Sequence, residues 1–183
     1  MTAGYGIALL AALLQMQDAP DMAGMVGMLA PYKPDAAYVG VTVIEDELVY
    51  AGGIDWLVGS RWGVAAEYRH WPGHVRFAGT DYRTVTHAAG GYLYRELPAW
   101  GRVTLRTEAG GGAVWANSEL QMSSTWAAGL RASGRVALTD RLALVAWVGT
   151  LRVGSGSASD GRARVSRGRE TLAETGVALR VNL

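Results

Sequence analysis

From residue 36 to the end of the chain, apolar and polar positions alternate with a period of two, the mark of strands with two unlike faces. The stretch 131–149, RASGRVALTDRLALVAWVG, shows the pattern. Arg131, Ser133 and Arg135 share one face, Leu130, Val136 and Leu138 the other, and Thr139-Asp140 separates two runs. Eight strands are predicted, at 37–45, 48–58, 61–71, 82–96, 101–115, 124–138, 141–153 and 169–183. Their connections alternate in character. Gly59-Ser60, 97–100 (LPAW) and Thr139-Asp140 are tight, whereas 71–81, 116–123 and 154–168 are long and polar or Gly-rich. Glu45-Asp46-Glu47 is the one short connection at the long-loop end. An even strand count with segregated loop lengths predicts an all-β, antiparallel up-and-down barrel that spans a membrane.

The two faces decide which side meets water. One carries Asp55, Glu67, Arg69, Arg102, Arg106, Glu108, Arg131, Arg135, Glu170, Glu174 and Arg180, six arginines against five acids. Gly63, Ala65, Gly110, Gly112, Gly129, Gly176 and Ala178 interleave with them. Small neighbours suit the lumen of an eight-stranded barrel, which is barely wide enough for its own side chains. The opposite face carries Val39, Val41, Val43, Ile54, Val64, Val103, Leu105, Leu130, Val136, Leu138, Leu142, Leu144, Val177, Leu179 and Val181, a lipid-facing set. Tyr38, Trp62, Tyr94, Trp100, Trp115 and Trp126 fall near strand ends and are expected in the interfacial girdles. In 82–96, Tyr92 and Tyr94 compete with Leu93 for the outside, and 141–153 is apolar on both faces. Buried charges must be paired and hydrogen-bonded, so the near-balanced inner face predicts an ion-pair network that plugs the lumen. With the faces inverted, the same alternation describes a soluble lipocalin-like carrier.

Residues 1–35 read differently. The run 7–14, IALLAALL, has the length of an export-signal core, although no Lys or Arg precedes Lys33. Asp18-Ala19-Pro20 then resembles a helix start, followed by Met22, Met25, Val26 and Leu29 at helical spacing. The expected organisation is therefore an N-terminal helical or export segment, 1–35, and a barrel, 36–183. With 17 Lys and Arg against 16 Asp and Glu, bulk charge gives no reason to expect nucleic acid. Lys33 is the only lysine, and Arg suits enclosed pairs because it stays charged and forks onto carboxylates. Cysteine is absent, which excludes disulfides and thiolate chemistry.

Over 36–183 this architecture resembles the small eight-stranded outer-membrane barrels, the OmpA-type transmembrane domain and its OmpX- and OmpW-like relatives. The last strand, ETGVALRVNL, is similar to their assembly signal, with Glu174, Gly176, Leu179 and Val181 in the polar, glycine and hydrophobic places. It departs from the pattern at Leu183, where an aromatic residue is usual. The resemblance implies an outer-membrane location in a Gram-negative envelope and a monomer that meets lipid, lipopolysaccharide and the barrel-assembly machinery. Its role would be structural or one of surface interaction, with no cofactor.

Barrels of this size also include lipid A deacylases and acyltransferases. The deacylase pattern requires His-x-Ser, because the serine needs a base within hydrogen-bond reach. Here the histidines stand in His70-Trp71-Pro72, His74-Val75-Arg76 and His87-Ala88-Ala89, none with the serine. His70 and His74 with Asp81 remain as the hydrolase candidates. The same two histidines are too few ligands for a metal site. The segment 154–169, GSGSASDGRARVSRGR, offers Arg162, Arg164, Arg167 and Arg169 for contact with lipopolysaccharide phosphates. A solvated, disordered loop is the plainer reading.

Overall fold

A computed structural model of the chain describes residues 33–58, 60–77, 79–97, 100–159 and 164–183. The expected helical or export segment lies outside these residues up to position 32. Eight strands close into an antiparallel barrel: β1 (Ala36–Ile44), β2 (Glu47–Val58), β3 (Trp62–Phe77), β4 (Thr80–Glu96), β5 (Val103–Ser118), β7 (Thr125–Ala137), β8 (Leu142–Val153) and β11 (Glu170–Asn182). Each pairs with its chain neighbour, and β1 closes the cylinder on β11 with Ala36 opposite Asn182 and Ile44 opposite Glu174. Closure leaves no barrel edge unpaired, the condition for a sheet to cross hydrocarbon. Three short strands, β6 (Gln121–Met122), β9 (Gly156–Ser159) and β10 (Arg164–Arg167), form a second sheet within the long connections.

The predicted strands agree with the observed ones closely except at the long-loop end. There β3 continues to Phe77 and β4 starts at Thr80, so 71–77 and 80–81 are strand where a long loop was expected. Gly79 precedes β4 with a φ of +84° that side chains rarely tolerate. Likewise β5 runs on to Ser118, and 156–159 pairs with 164–167 as β9 and β10 where a disordered loop was the plainer expectation.

The hairpin between β1 and β2 has Glu45 and Asp46 at φ of +48° and +68°, between the paired Ile44 and Glu47. Both central residues at positive φ define the I′ class of two-residue turn, for which Asn-Gly is the favoured pair. Neither native residue is ideal. The double substitution Glu45→Asn with Asp46→Gly is expected to stabilise the barrel by roughly 1 kcal/mol. A higher urea midpoint with an unchanged slope checks it.

The faces sort as the alternation requires. Leu93, Leu105, Leu130, Leu144, Val148 and Val177 are exposed on the outer wall. Asp55, Glu67, Arg69, Glu108, Arg131, Glu174 and Arg180 are buried inside. The carrier reading, with faces inverted, is thereby excluded. In β4 it is Tyr92 and Tyr94 that turn inward, which corrects the expectation of Tyr94 in a girdle; Tyr38 is likewise in the lumen, with its hydroxyl donating to Glu67 Oε2 at 2.6 Å. Trp62, Trp100 and Trp126 are exposed as a girdle needs.

Candidate functional site: the barrel lumen

The lumen has two layers. The one nearer the short turns is ionic, and seven contacts link eight side chains in strict alternation of sign. Glu174 meets Arg69 at 2.6 Å, Arg69 meets Glu67 at 2.7 Å, and Glu67 meets Arg131 at 2.7 Å. Arg131 meets Glu108 at 2.6 Å, Glu108 meets Arg106 at 3.1 Å, Arg106 meets Asp55 at 3.0 Å, and Asp55 meets Arg180 at 3.1 Å. Four guanidiniums and four carboxylates cancel, so charges held away from water are each compensated at contact distance. The chain leaves β11 at Glu174, crosses β3, β7, β5 and β2, and returns to β11 at Arg180.

Aromatic rings complete this layer. The Arg106 guanidinium lies 3.5 Å from the Tyr94 ring centroid, and that of Arg131 lies 4.0 Å from Tyr92 and 5.7 Å from Trp147. Cation–π attraction is strongest where water is excluded. The interleaved small residues make room for these rings as well as for the charged groups. A Cβ on Gly63 would stand 2.1 Å from Tyr94, and one on Gly176 would stand 2.3 Å from Trp147. Sequence reasoning missed the inward aromatics Tyr38, Tyr92, Tyr94 and Trp147, although the parity of Tyr92 and Tyr94 with Glu96 was available to signal it.

Not every predicted lumen residue joins the chain. Arg135 pairs with Glu96 at 3.3 Å, nearer the short turns and half-exposed. Arg102 departs from expectation: the turn after β4 runs through it, its carbonyl accepts the Ala137 N–H at 3.0 Å, and its side chain is exposed. Glu170 also departs, because β11 rises well past the ionic layer at that point and places it at the wall of the outer layer.

That outer layer is apolar. Ile44, Val49, Ala127, Leu151 and Leu172 form a buried cluster with Trp71, Val114 and Val153 against it. An eight-stranded closed barrel with a charged, ring-packed lumen and an apolar exterior can be set beside known proteins. No family model matches the sequence, and no curated protein matches it. Among solved structures, neisserial surface protein A is similar at 11% identity and a TM-score of 0.60, over 81% of this chain and 94% of that one. Outer membrane protein AlkL, determined by solid-state NMR in DMPC bilayers, is similar at 14% identity and a TM-score of 0.54, over 82% and 92%. The chain has the fold of the small outer-membrane β-barrels.

In this outer-membrane barrel fold the histidines lie on strands, not in a loop. His70 and His74 are on β3, and His87 is opposite His70 on β4. Asp81 faces Arg76 at 3.9 Å and His74 is opposite Arg83, so the proposed grouping of His70, His74 and Asp81 does not assemble. His87 has the partners instead: Tyr68 Oη lies 2.5 Å from its Nδ1, Asn117 lies 3.4 Å from its Nε2, and the Trp115 ring stacks on it at 5.6 Å. Among the described residues neither a serine nor a carboxylate is bonded to His87, so the deacylase constellation is not built by these partners. Of the loop arginines, Arg164 and Arg169 are exposed and Arg164 donates to Ser157 Oγ at 3.1 Å. Arg167 lies on β10, and Arg162 falls outside the described residues.

Proposed function

We propose that the protein works in the outer membrane as a sealed barrel with a structural or surface-interaction role in the cell envelope. One observation supports this above the rest: the ionic chain runs from wall to wall, and the cavity among its side chains is about 30 Å³. That is room for one or two waters, not for a hydrated solute. Contact with lipopolysaccharide phosphates through Arg164 and Arg169, with Arg162 and Arg167 near them in sequence, belongs to this reading. Arginine is the residue that grips phosphate bidentately. Assembly fits as well, since Glu174 and Gly176 turn inward on β11 while Leu179 and Val181 are part of its outward row.

Conductance tests the seal. The refolded protein in planar bilayers is expected to show no steady unitary conductance in molar KCl. Stable unitary openings would refute the sealed barrel and make it a narrow channel.

A further inference from the structure

We propose that the outer half of the lumen is a dead-end binding chamber for a small, uncharged, hydrocarbon-rich molecule entering from the long-loop end. The chamber measures about 540 Å³. Small-molecule sites occupy roughly 300–1,000 Å³ and are mostly apolar with a few polar groups.

The lining is what water-filled space would not favour. Trp71, Phe77, Val114, Leu151 and Leu172 are among its walls. These sit on the same inward parity as the ionic chain, so within one strand the interior changes character over two residues, from Arg69 to Trp71 on β3 and from Glu174 to Leu172 on β11. Removing apolar surface from water is favourable, and an apolar guest recovers that gain where water does not. Trp71 is held in place by its Nε1–H donating to Glu47 Oε2 at 2.6 Å.

The polar groups define the charge of the guest. Arg69 forms part of the floor, but its guanidinium is committed to Glu67, Glu174 and the Tyr92 hydroxyl. Arg76 is paired with Asp81. Both guanidiniums of the described lining are thus engaged by carboxylates, so an anionic head group would leave water without a cation to pair with. Thr84, Thr86, Thr125 and Ser157 offer hydroxyls for one neutral polar group. The chemistry selects a neutral alcohol or ketone with an aliphatic body over a fatty-acid anion.

The test uses the full chain in lipid nanodiscs, with Leu and Val methyls isotopically labelled for NMR. Added 1-decanol is expected to shift the Leu151, Val153 and Leu172 methyls saturably. The outward Leu130 and Val148 methyls report partition into lipid and drift without saturation. Decanoate at pH 8 should need at least tenfold higher concentration for the same inward shift. Val114→Phe, which intrudes on the chamber wall, should weaken the saturable response while heat-modifiable migration reports an intact barrel. Ala88→Leu serves the same end if Val114→Phe does not fold. Inward methyls that stay still, or that track the outward ones linearly, would overturn the proposal by leaving the chamber to water. An equal response to decanoate would overturn its charge selectivity. Neither outcome bears on conductance, so the sealed-barrel reading stands or falls separately.

Discussion

Replacing Arg131 with Met is expected to destabilise the barrel by about 3–5 kcal/mol, the usual consequence of removing one partner from a buried ionic cluster. Arg131 reaches Glu67 at 2.7 Å and Glu108 at 2.6 Å, and it is the link that joins the two halves of the chain. Met fills much of the same volume but leaves two carboxylates facing each other without a cation between them. Arg135→Met is the control. Its partner is Glu96, and its side chain is 27% exposed, so solvent screens the loss to about 1 kcal/mol or less. Both are read from urea unfolding in lipid vesicles by tryptophan fluorescence. Equal costs for the two would show that the ionic chain contributes no more than a surface pair. A second-site change, Glu108→Gln in the Arg131→Met background, should recover part of the loss, since residues of one network do not behave additively.

Leu130 stands next to Arg131 and points the other way, and Leu130→Arg is expected to cost about 2–4 kcal/mol. Leu130 is 64% exposed, with Ala109 and Thr150 as its cross-strand neighbours. In a water-soluble protein such a change is worth within about ±0.5 kcal/mol. In hydrocarbon the guanidinium has no solvent, so the penalty measures what the outer wall faces. Depth supplies the internal comparison: Leu138→Arg, at the short-turn end of the same outward row, should cost only about 0–1 kcal/mol. A flat profile across the two positions would contradict a lipid-facing wall. The pair of adjacent residues thus tests both faces of one strand.

Much of the architecture was legible because strand alternation is local. The boundaries of β2, β7, β8 and β11 follow from runs of alternating residues bounded by turn residues such as Thr139-Asp140, whose hydroxyl accepts the Leu142 N–H at 3.1 Å. The ends of β3, β4 and β5 were not legible. Pro72, Gly73 and Gly79 read as loop by composition, yet 71–77 continues as strand because its partners in β4 extend the ladder to Phe77 opposite Thr80. Pairing with a neighbour overrode residue preference. Arg102 was misplaced by a similar margin, since the turn holding Gly101 at a φ of +61° sets where β5 begins.

The candidate site was legible as a set but not as a chain of contacts. Parity identifies Asp55, Glu67, Arg69, Arg106, Glu108, Arg131, Glu174 and Arg180 as sharing one face. It does not say that Arg69 meets Glu174, 105 positions away. Nor does it reveal the rings beneath the guanidiniums, because Tyr and Trp are as much at home in an interfacial girdle as beneath a cation.

What the sequence alone determined is the division of each strand into a charged and an apolar side, and from it the closed, lipid-facing cylinder. That property is carried by every second residue and needs no distant partner. The tertiary structure decided height: which inward residues lie at the same level across eight strands. Register and closure set those levels, so only they separate the ionic layer around Arg131 from the apolar chamber around Leu151 and Leu172. Two positions along a strand are neighbours in sequence, but the groups a side chain touches across a barrel are brought there by the other seven strands.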